Sequence, residues 1–169
     1  VGLYEGALAE LIRLLKFEGE RALALELARL MLPRMGEFKV DAITFVPLHP
    51  LSERARGFNQ AELLAMHLGE LADIPVLPTL MKIRETRPQV ELTGPERIKN
   101  VEGAFAPLGA AQGKRVLLID DVYTTGATVR ECSRALKEAG YEWVGILTPA
   151  RTPRSPLPPD SATEAEDAG

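Results

Sequence analysis

The chain of 169 residues is long enough for one domain with a sizeable core, and its 46% hydrophobic and 26% charged residues are ordinary for a globular protein. No apolar run approaches the roughly 20 residues that span a bilayer, and the N-terminus shows no basic stretch followed by an apolar one, so the expected compartment is the cytoplasm. A net charge of −4 argues against a broad nucleic-acid surface, and the single cysteine, Cys132, excludes an intramolecular disulfide framework and a multi-cysteine zinc site.

Residues 3–17 carry Leu8, Leu11, Ile12 and Leu15 at helical spacing, and residues 20–32 are apolar almost all round, with Leu23, Leu27, Leu30 and Met31 in register. Two packed helices are expected, the second ended by Pro33 and Gly36. "AITFVPL" (42–48) reads as a buried strand closed by Pro47 and Pro50, and 49–58 as a loop carrying Arg54 and Arg56. Asn59 is placed to cap the next helix, with Glu62 three residues on and Phe58 and Leu63 at the staple positions. Leu64, His67, Leu68 and Leu71 continue that helix face, His67 as a structural residue. Residues 75–84 read as one or two short strands. Residues 85–104 read as a long surface excursion containing a capping box, "TGPE" (93–96), and a short helix over 95–100.

"RVLLI" (115–119) is a buried strand, 126–139 a helix with Val129, Cys132, Leu136 and Ala139 on one face, and "WVGIL" (143–147) a further strand. Strand, helix, strand at this spacing is a βαβ unit and hence a parallel sheet, so the fold class is α/β. Cys132 then falls in the core. The first 150 residues form the domain, and the Pro-, Ser- and Glu-rich segment from 151 to 169 is expected to be a disordered tail.

The chemistry concentrates in "VLLIDDVYTTGATV" (116–129). A buried run ends in two aspartates at the carboxyl end of a parallel strand, where ligands bind in open α/β sheets. A helix then opens, and its unpaired first-turn N–H groups make an anion site. Gly126 permits close backbone approach, and Thr124, Thr125 and Thr128 add hydroxyls. The loop has no lysine, so it is not a Walker A phosphate loop. Ionised Asp120 and Asp121 accept hydrogen bonds only. One phosphate with neutral hydroxyls beside it, as in ribose 5-phosphate, satisfies every group. Mg²⁺ is the expected companion, because carboxylates and substrate phosphates are its usual ligands.

That stretch resembles the phosphoribosyl-diphosphate (PRPP) signature of type I phosphoribosyltransferases. With "YEGALAELIRLLKFEG", "VPLHPLSERARGFNQAELLA" and "RETRPQVELTGPERIKNVEGAF" in order around it, residues 3–149 resemble the ComF family, phosphoribosyltransferase-like proteins associated with competence for DNA uptake. The resemblance implies a mainly parallel central sheet flanked by helices, a small hood formed or supported by the first two helices, and a mobile lid. It implies that Asp120 and Asp121 hold the ribose hydroxyls and that Tyr123, Thr124, Thr125, Gly126, Ala127 and Thr128 hold the 5-phosphate. It places Arg54, Arg56 and Gly57 near the pyrophosphate, and Arg87, Gln89 and Arg97 in the lid. ComF-type proteins often begin with a four-cysteine zinc module, which this sequence lacks, so no zinc is expected.

Simpler readings stand beside these. Arg54 and Arg56 can be solvated loop charges. Arg87 and Arg97 can pair at the surface with Glu85, Glu91 or Glu96, for about 0–1 kcal/mol. Tyr123 can simply cover the strand end, and Asn59 can be only a cap. Two functions remain open. One is transfer of a phosphoribosyl group from PRPP to a nitrogen acceptor such as a nucleobase. The other is a non-enzymatic PRPP- or nucleotide-binding adaptor that contacts single-stranded DNA or DNA-uptake proteins. The resemblance also admits a homodimer.

Overall fold

The computed structural model describes residues 1–87, 93–111 and 113–153. At its centre is a parallel sheet in the order β2 (Ala42–Phe45), β5 (Arg115–Ile119), β7 (Trp143–Leu147). Ile43 is paired with Leu117, and Leu117 with Gly145. On the other side of β2, Val76 bridges Ile43 in parallel, which adds a short edge to the sheet. All four residues of β2 are buried, as are Val116 to Ile119 of β5. Such burial on both faces, with the one polar residue, Thr44, hydrogen-bonded to Thr79, suits a sheet covered on both sides.

The crossovers explain where a ligand can enter. From β2 the chain passes through α4 (Gln60–Ala72) to the edge at Val76, and from β5 through α6 (Ala127–Glu138) outward to β7. The two crossovers leave in opposite directions, so right-handed connections put their helices on opposite faces. Accordingly α2 (Leu23–Met35) packs against α4, while α6 packs with α5 (Gly94–Val101) and with the antiparallel ribbon β3 (Leu80–Lys82)–β4 (Phe105–Pro107). The loops after β2 and β5 therefore diverge at a topological switch point. This is the type I phosphoribosyltransferase arrangement expected from the sequence.

Leu27, Met31, Leu64 and Leu68 fill the α2–α4 side of the core, and Val129, Cys132 and Leu136 fill the α6 side. Burial of the Cys132 thiol raises its pKa well above the usual thiol value, which agrees with a core residue rather than a nucleophile. Leu30 and Leu71, expected on buried faces, are exposed, because they lie on the outer sides of α2 and α4.

A second small parallel sheet, β1 (Gly2–Leu3), β8 (Ala150–Arg151) and β6 (Val122–Tyr123), lies beyond the carboxyl ends of β5 and β7. It fastens the N-terminal helices, α1 (Gly6–Arg13) and a π-helical turn (Leu14–Glu18), over that end of the molecule. Arg151 is thus in a strand, one residue into the expected tail; residues 154–169 lie outside the described residues.

Two expectations are corrected. Pro33 does not end α2, which runs on to Met35. A proline lacks the N–H for one i−4 bond, and the burial of Met35 holds the last turn in place. The segment 49–58 is not all loop, since it contains α3 (Pro50–Arg56). Pro50 supplies a helical φ at the first position, and the His49 ring nitrogen accepts the Leu51 N–H at 3.4 Å. Gly57, at φ 80°, closes the helix. The capping box at Thr93 and Glu96 is present and opens α5 one residue before the expected start.

Candidate functional site

A cleft of about 440 Å³ opens at the switch point. Its floor is the loop after β5. Asp120 and Asp121 stand at the strand end and are half-buried, and the Asp120 Oδ1 accepts the Asp121 N–H at 2.8 Å. Desolvation, and then the neighbouring charge of Asp121, push the Asp120 carboxyl up to about 8. Asp121 has a partner: its Oδ2 accepts from the Lys16 ammonium at 2.8 Å, across the cleft from the π-helical turn. Burial pulls the Lys16 pKa down, but Asp121, with Asp120 behind it, outweighs burial and the net shift is upward.

Tyr123, Thr124, Gly126, Ala127 and Thr128 continue the lining. Gly126 caps α6 at φ 76°, and a Cβ there would overlap the Tyr123 ring, so the loop needs glycine on two counts. Thr125 does not line the cleft. Its hydroxyl takes the Ala127 N–H at 3.3 Å and its carbonyl accepts from Arg130, so it holds the loop in shape. The result is a helix N-terminus with hydroxyls around it, which suits one tetrahedral anion.

The opposite walls are cationic. Arg56, Lys82, Arg87 and Arg97 join Lys16 on the lining, against Glu85 and the two aspartates, in a chain of net charge −4. Of the residues expected near a pyrophosphate, Arg56 reaches the cleft and donates to the buried Gln60 Oε1 at 2.9 Å. Arg54 is exposed on α3 and Gly57 caps it, its carbonyl accepting from Arg21; neither lines the cleft. Of the lid residues, Arg87 and Arg97 line the cleft. The Arg87 backbone is clasped by Asn100, which accepts its N–H at 3.0 Å and donates to its carbonyl at 2.9 Å. Gln89 lies outside the described residues.

Sequence reasoning missed Lys16, Gln60 and Lys82. Lys82 reaches in from β3, donates to Thr86 Oγ1 at 2.7 Å and lies 5.6 Å from the Phe105 ring; burial lowers its pKa. The signal available was alternation in "LMKIR", where Leu80 and Lys82 share a face. Asn59, expected as a cap, accepts the N–H groups of Ala61 and Glu62. It also donates to the Val46 carbonyl at 3.0 Å, and so fixes the loop after β2 to α4.

A parallel sheet with an acid pair and a Thr-Thr-Gly loop at its switch point defines the type I phosphoribosyltransferase class. Comparison with known proteins narrows it. The phosphoribosyl transferase domain family matches residues 55–165. Competence protein F of Haemophilus influenzae is 34% identical over 163 residues, covering 89% of this chain and 71% of that protein. Competence protein ComFC of Streptococcus pneumoniae is 34% identical over 148 residues, covering 88% of this chain and 65% of that protein. The solved structure of the allosteric regulatory enzyme of purine biosynthesis superposes on 75% of this chain with a TM-score of 0.51 at 25% identity, but the match covers only 25% of that enzyme. The chain belongs to the phosphoribosyl transferase domain family and, within it, to the ComF competence proteins. Among the described residues no helix is long and apolar enough to cross a membrane.

Proposed function

We propose that residues 1–150 bind PRPP with Mg²⁺ in the cytoplasm and transfer its phosphoribosyl group to a nitrogen acceptor such as a nucleobase. The observation that carries this is the joining, in one cleft, of the Asp120–Asp121 pair, the 123–128 loop and the facing cations. In this reading the carboxylates accept the ribose hydroxyls and the N-terminus of α6 takes the 5-phosphate. Arg56, Lys82 and Arg87 face the diphosphate, where negative charge grows as the C1–O bond breaks, and such preplaced charge lowers the barrier. The cleft volume suits a ligand of this size.

Among the described residues no group of three or more His, Cys, Asp or Glu gathers into a metal cage. Two carboxylates beside a phosphate site do fit Mg²⁺, which commonly takes one or two carboxylates and completes its shell with substrate oxygens and water. Asp120 and Asp121 are the residues that would hold it, directly or through the ribose hydroxyls, and when bound it would neutralise the leaving diphosphate.

The names of the relatives favour a second reading, in which the same site binds PRPP or a nucleotide as a signal and the protein serves DNA uptake as an adaptor. Pyrophosphate release from Mg·PRPP, measured with a panel of nucleobases, separates the two. Release that depends on one base supports transfer. Tight PRPP binding with no base-dependent release defeats transfer and supports the adaptor.

A further inference from the structure

The polar contacts around Lys16 form a chain across the cleft. Arg56 Nη1 donates to Gln60 Oε1 at 2.9 Å, Gln60 Nε2 donates to the Lys16 carbonyl at 3.4 Å, and Lys16 Nζ donates to Asp121 Oδ2 at 2.8 Å. Gln60 is only 2% exposed. Lys16 is therefore held at both ends, its backbone by α4 and its ammonium by the acid pair. It belongs to the π-helical turn, where the N–H of Gly19 bonds back to the Leu14 carbonyl and Gly19, at φ 72°, ends the turn. Such turns add a residue to a helix and re-aim the side chains around them, often at functional sites. Here the turn sets Lys16 against Asp121, while Phe17 stays 65% exposed at the mouth.

We infer that Lys16 is a positioning residue that acts through Asp121: it fixes that carboxylate and cancels its charge, so the acid pair can receive a diphosphate ligand. The inference rests on the reading of the cleft as a PRPP site. The charge of the acid pair, which rests on Asp121 above all, repels polyanions, yet the ligand must bring a diphosphate to the sugar the pair holds. An ammonium at 2.8 Å makes one of the two electrically neutral to its surroundings. A 5-phosphate is less dependent on this help, because the N-terminus of α6 faces it.

The test is a binding comparison with two ligands, Mg·PRPP and ribose 5-phosphate, on the wild type, Lys16→Met, Lys16→Arg, Asp121→Asn and the Lys16→Met/Asp121→Asn double variant. Met keeps the apolar stem and removes the charge. Lys16→Met should weaken Mg·PRPP about tenfold and ribose 5-phosphate by less than about threefold, and Lys16→Arg should restore most of the difference. In the Asp121→Asn background the Lys16 substitution should add nothing. An equal loss for both ligands, or no loss, would overturn the inference while leaving the PRPP reading intact. A full further loss in the Asp121→Asn background would also overturn it, since Lys16 would then act on the ligand directly. A wild type that binds neither ligand would overturn both.

Discussion

Gly126→Ala tests whether the loop shape of 123–128 is what the ligand reads. The residue sits at φ 76°, a left-handed conformation that costs an ordinary L-residue about 1–2 kcal/mol. The added Cβ would also overlap the hydroxyl end of Tyr123, whose ring must swing away and give up its half-buried position. Together these should cost about 2–3 kcal/mol, or roughly 4–12 °C in melting temperature for a chain of this size. Gly103→Ala is the control. Gly103 has a similar φ of 64° but nothing within 4 Å of the added carbon, so it should lose only the backbone part. Thermal unfolding measures the difference, and a titration with ribose 5-phosphate measures the site. Gly126→Ala should lose more stability than Gly103→Ala and should lose most of its affinity for the phosphate ester, while Gly103→Ala keeps it. Equal melting temperatures for the two variants, or undiminished affinity in Gly126→Ala, would mean that the ligand does not read the loop shape.

Other residues give independent checks. The folded-state pKa of Asp120 is raised, so the native chain holds a proton that the unfolded chain has lost, and stability falls as pH rises from the ordinary carboxylate range toward about 8. Asp120→Asn removes that fall. It should exceed the wild type in urea denaturation at pH 8, by at most about 1.4 kcal/mol for each unit of elevation realised, and should lose the advantage near pH 4; a variant less stable than wild type at pH 8 would count against it. Arg56→Ala should weaken Mg·PRPP binding while Arg54→Ala should not, because only Arg56 lines the cleft; equal effects in calorimetry would contradict this placement. Asn59→Ala strips a buried cap of two accepted N–H groups and one donated bond. It should cost about 2 kcal/mol or more in chemical unfolding, and a loss under 0.5 kcal/mol would show that water or a rearranged loop replaces those bonds.

The parts of the fold that were legible are those where burial leaves a period. The unit β5–α6–β7 combines a continuous apolar run, a glycine at a helix start and a spaced face of Val129, Cys132 and Leu136, and each signal agrees with the others. The cap at Asn59 was legible because capping is local chemistry. What escaped was either too short or unburied. α3 has seven residues and none is buried, so it carries no hydrophobic period. Strands β1, β6 and β8 have two residues each, and their pairing is decided by the far end of the chain. β4, just after the excursion read over 85–104, had no signal of its own, because a three-residue strand is defined by its partner β3. At the site, the acid pair and its loop stood out as a motif. The walls did not, because Lys16 and Lys82 enter through a π-helical turn and a ribbon register, which tertiary packing sets.

Whether the acid pair at the end of β5 holds the ligand's sugar is decided by calorimetric titration of Mg·PRPP into the wild type and the Asp120→Asn/Asp121→Asn variant. Both groups are half-buried at a strand end, outside the apolar core, so the variant should fold and melt cooperatively. The wild type should show saturable binding and the folded variant none over the same concentration range. Undiminished affinity in the variant, or no binding to the wild type, would contradict that role.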